Sequence, residues 1–416
     1  MASRMFNPVC LLFKLYSVLV VLSISTNVSA QNKTTLHGVI ADEVTSKPIN
    51  AATILWKNKN IGSITNSEGR FVILLPDSQT STDSLTFSCL GYQSERVSVN
   101  SVITGKEIAI KLNPLVGSLK EVVVRPLTLK QLLDSVIRHN SKMFISQMKL
   151  NGYYREFVFT NDKCTEYADA ICEYYYNRVS QPDGQLKITA SRCKKETKVN
   201  EDKNNIEVYK ESRLNPNVAF NYTMLSGMVD EYFPEKKLLN YNYRIEQNLV
   251  QNTDDLLVTI YPKTDSESGI YKLTFLLTND FTIKSYHLEI PDELLKRIKG
   301  KSMLGIHSEA TGLTIDVKYI ALDAGIYPSY YSITKCSKIW GKFLGATINQ
   351  TVLNKSEFLT TELDGAKELK AFLKQDIYKK GNICTNGVSI NDALLKNYTI
   401  ITPSAKDSVA INSLSN

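Results

Sequence analysis

Apolar and polar residues alternate along most of this chain, and the period of the alternation separates its elements. In "ITNSEGRFVILLP" (64–76), Asn66-Ser67-Glu68-Gly69 turns the chain, and Phe71, Ile73 and Leu75 fall on one side of a strand. Short runs of the same kind surround it: "LHGVIAD" (36–42), "NAATILWKN" (50–58), "SLTFSCLGY" (84–92) and "KEIAIKL" (106–112). Residues 34–114 therefore predict a small β-sandwich. The period changes over 128–140, where Leu129, Leu132, Leu133, Val136 and Ile137 recur at helical spacing behind a Thr128/Gln131 capping box. From 148 to 360 the period returns to two, in longer runs such as "GYYREFVFT" (152–160), "TEYADAICEYYYN" (165–177), "GIYKLTFLLT" (269–278) and "LTIDVKYIAL" (313–322). Short polar turns join them, which predicts one large, curved, half-barrel-like antiparallel sheet. A helix is expected within 215–232 and another over "AKELKAFLKQDIY" (366–378), with disorder over the last ten or so residues.

The first 30 residues have a different layout. Arg4 and Lys14 flank an apolar stretch from Leu15 to Ile24, and Val28-Ser29-Ala30 precedes Gln31. This is the pattern of a cleaved secretion signal, and its apolar run falls short of the roughly 20 residues that span a bilayer. The expected organisation is a signal at 1–30, a sandwich at 34–114 and an extended linker strand at 115–127. A helix plus β-rich domain follows at 128–364, then a short helix and polar tail at 365–416.

Several residues of the sandwich carry a family pattern. Gly38, Val39, Thr45, Pro48, Ile49, Ala52, Thr65, Asn66, Gly69, Phe71, Leu85, Ser88, Gly91 and Tyr92 match it in order and spacing. The stretch resembles the carboxypeptidase-like regulatory domain, and the resemblance implies a seven-stranded, transthyretin-like sandwich. Such domains extend outer-membrane receptors and other envelope proteins of Gram-negative cells; in metallocarboxypeptidases they are accessories without catalytic residues. The following "SLKEVVVRP" (118–126) resembles the segment after the same domain in those receptors. Its Val122, Val123 and Val124 are candidates to add to a partner's sheet edge. Too few residues remain for a receptor barrel. Tyr153-Tyr154-Arg155-Glu156 and Gly269-Ile270-Tyr271-Lys272-Leu273 resemble a further set of uncharacterised envelope proteins, in which the same domain precedes a half-barrel.

Charge and cysteines narrow the chemistry. Loss of Arg4 and Lys14 lowers the formal charge from +7 to +5, which is no nucleic-acid signature. The densest basic run, "KRIKGK" (296–301), is expected to be a solvated loop, with a phosphate or lipid headgroup contact as the alternative. Six cysteines remain after position 30, in no zinc or disulfide spacing, and no bridge is assigned. Cys164 and Cys172 are expected on the same side of one strand, too far apart to bond.

Catalytic patterns fail one after another. The histidines lack the His-x-x-Glu of a metallocarboxypeptidase; His287-Leu288-Glu289 and His307-Ser308-Glu309 each place a pair on one strand face, without a third ligand. Gly-x-Ser-x-Gly is absent, and "KGKS" (299–302) has Leu295 where a phosphate loop needs Gly. No enzyme, metal or cofactor is therefore assigned. The 22 tyrosines are the remaining feature. Tyr153, Tyr154, Tyr174, Tyr176, Tyr327 and Tyr330 are taken as candidate ligand or partner contacts, with hydroxyl tips at wet sheet edges. The expected function is a non-enzymatic protein of the periplasm or outer-membrane periphery that binds an envelope protein partner. Alternatives are a carrier or sensor holding a lipid or glycan in the sheet's concave face, and an enzyme whose scattered site leaves no motif. Nucleic acid is not an expected partner, and no transmembrane helix is expected in the mature chain.

Overall fold

The computed structural model describes residues 33–76, 82–102, 106–114, 119–121, 127–196, 216–248, 255–343, 346–364, 369–379 and 383–415. Val122, Val123 and Val124, like the signal pattern of 1–30, lie outside the described residues.

The first unit holds seven strands: β1 (Lys33–Asp42), β2 (Thr53–Trp56), β3 (Ile61–Ile64), β4 (Arg70–Pro76), β5 (Ser84–Ser88), β6 (Glu95–Ser98) and β7 (Ile108–Leu112). β1 pairs antiparallel with β4 and parallel with β7. β3, β2, β5 and β6 pair in that order as the facing layer. Leu36, Ile40, Phe71, Ile73 and Leu75 of one layer meet Ile54, Trp56, Leu85 and Phe87 of the other in one buried core. The residues of the family pattern have visible duties. Thr65 accepts from Ala52 N and donates to Ile49 O, so it ties down the loop after β1. The Asn66 carboxamide oxygen accepts from Glu68 N and Arg70 N and closes the turn. Gly69 has φ +71°, and a Cβ there would stand 2.4 Å from Ile40 O.

The second unit is built on β8 (Leu119–Glu121), β9 (Gln147–Thr160), β10 (Lys163–Asn177), β11 (Gln181–Lys195), β12 (Tyr241–Asn248), β13 (Leu256–Pro262), β14 (Lys272–Leu277), β15 (Ile283–Glu289), β16 (Lys301–Met303), β17 (Ile306–Leu322), β18 (Gly325–Phe343), β19 (Ala346–Asp364) and β20 (Val388–Ser389). The ladder runs β8-β12-β13-β14-β15-β17-β18-β19-β9-β10-β11-β20, with β16 beside the far part of β17. Among the described residues no pairing joins its two ends, so the sheet is curved but not closed. β11, with Gly184 and charged residues near its end, was not foreseen in the sequence.

One face of this sheet is filled by helices. The Leu129–Met143 helix starts at the expected Thr128/Gln131 capping box. It buries Leu129, Leu132, Leu133 and Val136, each contributing about 1.5–3 kcal/mol in gross transfer terms. Its buried Asn140 donates to Phe281 O and accepts from Ile283 N, which fastens the helix to the β14–β15 hairpin. The Pro216–Asn221 and Leu225–Tyr232 helices share the same core. Strands near both ends of the ladder contribute to it, Leu186 from β11 and Ile245 from β12, as a curled sheet requires. No helix of the described residues is long and apolar enough to cross a membrane.

The opposite face of β9, β10 and β19 is covered by the C-terminal segment, Ile390, Ile401, Ile411 and Leu414 included. Four expectations change here. Residues 369–379 contain no helix, and the expected polar tail instead folds as the Ala405–Asn412 helix, with Ser404 and Asp407 as its capping box. Cys193 of β11 and Cys384 form a disulfide, Cα atoms 5.8 Å apart, across 191 residues of sequence. Cys164 and Cys172 lie on opposite faces, because β10 carries an extra residue at Thr165 that reverses the alternation.

Beneath that segment lies a buried ion-pair system. Arg155 and Glu357 face each other in the β9–β19 register, with Nε and Nη2 each 2.8 Å from Oε2. Tyr330 donates to Glu357 at 2.7 Å, Lys355 approaches it at 3.0 Å, and Asp407 lies 3.4 Å from Arg155. Burial alone would raise the Glu357 carboxyl; Arg155, Lys355 and Tyr330 outweigh it and hold the group at about 2. Its stabilising contribution is therefore present above the ordinary value of 4.5 and is lost as pH falls through about 2. Glu357→Gln should cost about 3–5 kcal/mol at neutral pH. In urea titrations its deficit against the parent should shrink as the pH approaches 2. Replacing Cys193 and Cys384 by Ser should cost about 2–4 kcal/mol. Limited proteolysis should then cut first within 383–415.

Candidate functional site

The six candidate tyrosines do not form a surface. All are buried, none more than 7% exposed. Tyr154, Tyr174, Tyr176 and Tyr327 belong to the helix-covered core, whereas Tyr153 and Tyr330 lie on the other face. Neighbours in sequence point to opposite faces of a strand, and here both faces are covered, so the wet-edge expectation fails. Tyrosine hydroxyls instead meet protein. Tyr286 donates to Tyr222 O at 2.6 Å and Tyr319 to Thr223 O at 2.8 Å, both at the turn joining the two central helices. Tyr153 and Tyr167 both donate to Asp169, which Arg192 grips in two-point fashion. The tyrosines fasten helices and satisfy buried carboxylates.

Tyr176 alone among the six reaches open space, a cavity of about 540 Å³ beside Ile137, Phe144, Met224 and Leu225 at the edge of the helix-filled face; a second space lies elsewhere. A groove of about 540 Å³ runs between the first unit and the outer face of the large sheet. One wall is Ala51, Leu55 and the 88–94 loop; the other is the polar face of β14, β15 and β17. That wall follows from the alternation of "LTIDVKYIAL": Ile315 and Val317 point to the core while Asp316 and Lys318 point outward. His287 stands directly opposite Asp316, and Ser285 opposite Lys318.

The charges of the groove are arranged unequally. Lys284 is held by both Asp255 oxygens at 2.7 Å. His287 Nδ1 lies 2.7 Å from Asp316, and Nε2 lies 3.4 Å from Glu289 on the expected His-x-Glu face. The two ring nitrogens thus point at different carboxylates. When protonated, the ring bridges the two carboxylates as a strut. Among the described residues no cluster of three or more His, Cys, Asp or Glu is placed to hold a metal. Lys318 differs from the other cations. Its ammonium donates to Ala51 O across the groove and has no carboxylate within 4 Å among the described residues. Burial lowers its pKa. Burial likewise raises that of the neighbouring Cys89, against the pull of Lys318.

Only His287 and Glu289 of these residues stood out in the sequence. Lys318, Asp316, Lys284, Asp255 and Cys89 are unremarkable in their own strands and become a set only through pairing and docking. The one signal available was the polar side of β17.

Residues 36–124 match the model of the CarboxypepD_reg-like domain family. No curated protein matches the sequence. Two solved structures overlap loosely with the β-rich remainder. One is lipovitellin, described for its lipid–protein interactions, at 10% identity and a TM-score of 0.23, covering 55% of this chain and 27% of its own. This chain thus spans little more than a quarter of that length. The other is a DUF1329 family protein from Desulfovibrio piger, at 9% identity and a TM-score of 0.22, covering 59% of this chain and 96% of its own. Overlaps of this kind assign no ligand.

The strut makes a pH prediction. Hydrogen bonding to Asp316 raises the His287 pKa above 6.5, so its contribution is full below 6.5 and is lost as pH rises through the folded value. For Glu289, burial pushes upward, but Lys272 and His287 hold the carboxyl below 4.5. Its contribution is full above 4.5 and is lost as pH falls through the folded value. Both act between 4.5 and 6.5. His287→Asn should lower the urea midpoint in that window and have little effect at pH 9; an equal loss at both pH values would reject the strut.

Proposed function

We propose that this chain is an exported, non-catalytic binding protein of the Gram-negative cell envelope, at the periplasm or outer-membrane periphery. In this reading it engages a small anionic ligand in the groove between its two units. The observation that carries it is Lys318: a partly buried ammonium aimed into an open groove, joined to the first unit by one carbonyl and, among the described residues, with no carboxylate within 4 Å, Asp316 acting on it only from further off. A buried cation left in that state favours an anion, because the desolvation it has suffered is offset when a negative group arrives. The accessory sandwich then has a physical task, to supply the second wall. The export pattern of residues 1–30 and the CarboxypepD_reg-like match at 36–124 support the envelope setting.

The carrier alternative asks for a lipid or glycan in the curved interior of the large sheet. Much of that interior is packed by the chain's own helices, whose Phe220 ring stacks on Tyr174 at 4.0 Å, and the cavity left at its edge beside Tyr176, Met224 and Leu225 holds about 540 Å³.

Native mass spectrometry of protein purified from its own envelope tests this reading. A small anionic molecule should be retained, and should be lost from Lys318→Met and from Thr274→Trp, which fills the groove from β14. Retention by both variants, or a bound lipid in its place, would overturn the groove as the site.

A further inference from the structure

The far end of the β16–β18 ribbon carries a second feature, independent of the groove. β15 pairs with β17 only over Thr314–Lys318, so residues 306–312 of β17 extend past it, flanked by β16 and β18. The β16–β17 turn is Leu304-Gly305, with φ of +51° and +82°, the two-residue hairpin geometry that Asn, Asp or Gly usually occupies. Here the turn presents Met303 and Leu304 to solvent, 76% and 74% exposed. They rank among the most exposed large apolar side chains of the described residues.

Cations surround this tip. Lys299, Lys301, Lys338 and Lys342 are all exposed, and none has a carboxylate within 4 Å among the described residues. The stretches 296–308 and 338–343 contain no Asp or Glu. The first acidic residue inward from the tip is Glu309, which faces Lys338 across the β17–β18 ladder. Lys342 N donates to Gly305 O, which brings the β18 end alongside the turn. Trp340 lies two residues back, stacked on His307 at 5.5 Å with the Lys338 ammonium 5.7 Å from its ring.

We propose that this ribbon tip docks on an anionic lipid surface, with Met303 and Leu304 entering the acyl boundary and the lysines meeting the headgroup phosphates. The charge pattern selects this occupant. Four cations, of which only Lys338 faces a carboxylate across the ladder, repel one another in water and are relieved beside a negatively charged leaflet. The apolar pair supplies the insertion that charge alone does not, and an indole belongs at the headgroup level. The Lys299–Lys301 end of the "KRIKGK" run thus acts with a hairpin and a neighbouring strand that its own sequence does not reveal, whereas Lys296 and Arg297 stand apart in the Asp292–Arg297 turn, Arg297 donating to Gly269 O and Thr264 O.

Co-sedimentation of the full chain with vesicles tests the proposal. The vesicles are phosphatidylcholine alone, or phosphatidylcholine with about 30% phosphatidylglycerol. The expected result is binding to the anionic vesicles, at least about tenfold weaker without phosphatidylglycerol or in about 0.5 M salt. Met303→Ser with Leu304→Asn should weaken it about tenfold while leaving the thermal midpoint in place, since Asn suits the left-handed turn position. Lys299→Gln, Lys301→Gln and Lys342→Gln together should abolish the salt dependence. Absence of binding by the parent chain, or undiminished binding by the tip variant, would overturn the proposal. So would a protein that holds the tip in envelope extract cleared of lipid.

Discussion

Strands β9 and β10 are buried on both faces, and most of the architecture is a consequence of that constraint. A sheet centre of this kind needs two covers. The helices at 129–143 and 216–232 supply one, and the C-terminal segment supplies the other. Because Arg155, Glu357 and Asp169 lie under the second cover, each must find its partners locally. Arg155 is opposed in register by Glu357, and Asp169 is gripped by Arg192 and two tyrosine hydroxyls. Leaving one of these charges alone would cost several kcal/mol. The pairs are therefore better understood as conditions on the register of β9, β10 and β19 than as sources of net stability.

The same constraint holds the two units together. The tail that covers the ion pairs continues to the sandwich, where Thr399 accepts from Leu74 N and Glu68 accepts from Ala405 N. On the other edge Ile61 bridges to Glu362, and Lys318 reaches Ala51. The groove exists because the sandwich is fixed at several points outside it, so its walls are set by contacts that do not line it. The Cys193–Cys384 bridge anchors the start of the tail to β11. Removing the bridge therefore acts on the second cover before it acts on either core.

What the sequence showed depended on whether a feature was local. The capped helix at Thr128, the Gly69 turn and the long period-two runs are written within a few residues each, and all appear where expected. The tyrosines misled because alternation assigns residues to faces but does not say which faces are covered. Thr165 misled more simply, since one inserted residue puts Cys164 and Cys172 on opposite sides. The disulfide joins residues 191 apart, and the groove joins β2 and β5 to β14, β15 and β17, so neither had a local trace. The Ser404/Asp407 capping box was legible and was masked by the polar composition around it.

Coverage also explains why the two exposed features differ in kind. Near the sheet centre, outward side chains meet a second layer, and the polar wall of β15 and β17 becomes a groove with most charges already matched. Towards the ribbon tip the second layer ends. The small cluster of Val158, Ile339, Ile348 and Val352 is the last apolar packing on that arm. Beyond it no core remains to bury Met303 or Leu304, and no ladder partner is acidic until Glu309. Apolar residues that contribute to no core, among lysines with no carboxylate within 4 Å in the described residues, are not accounted for by the stability of this chain. Their placement is what the proposed docking on a lipid surface would use.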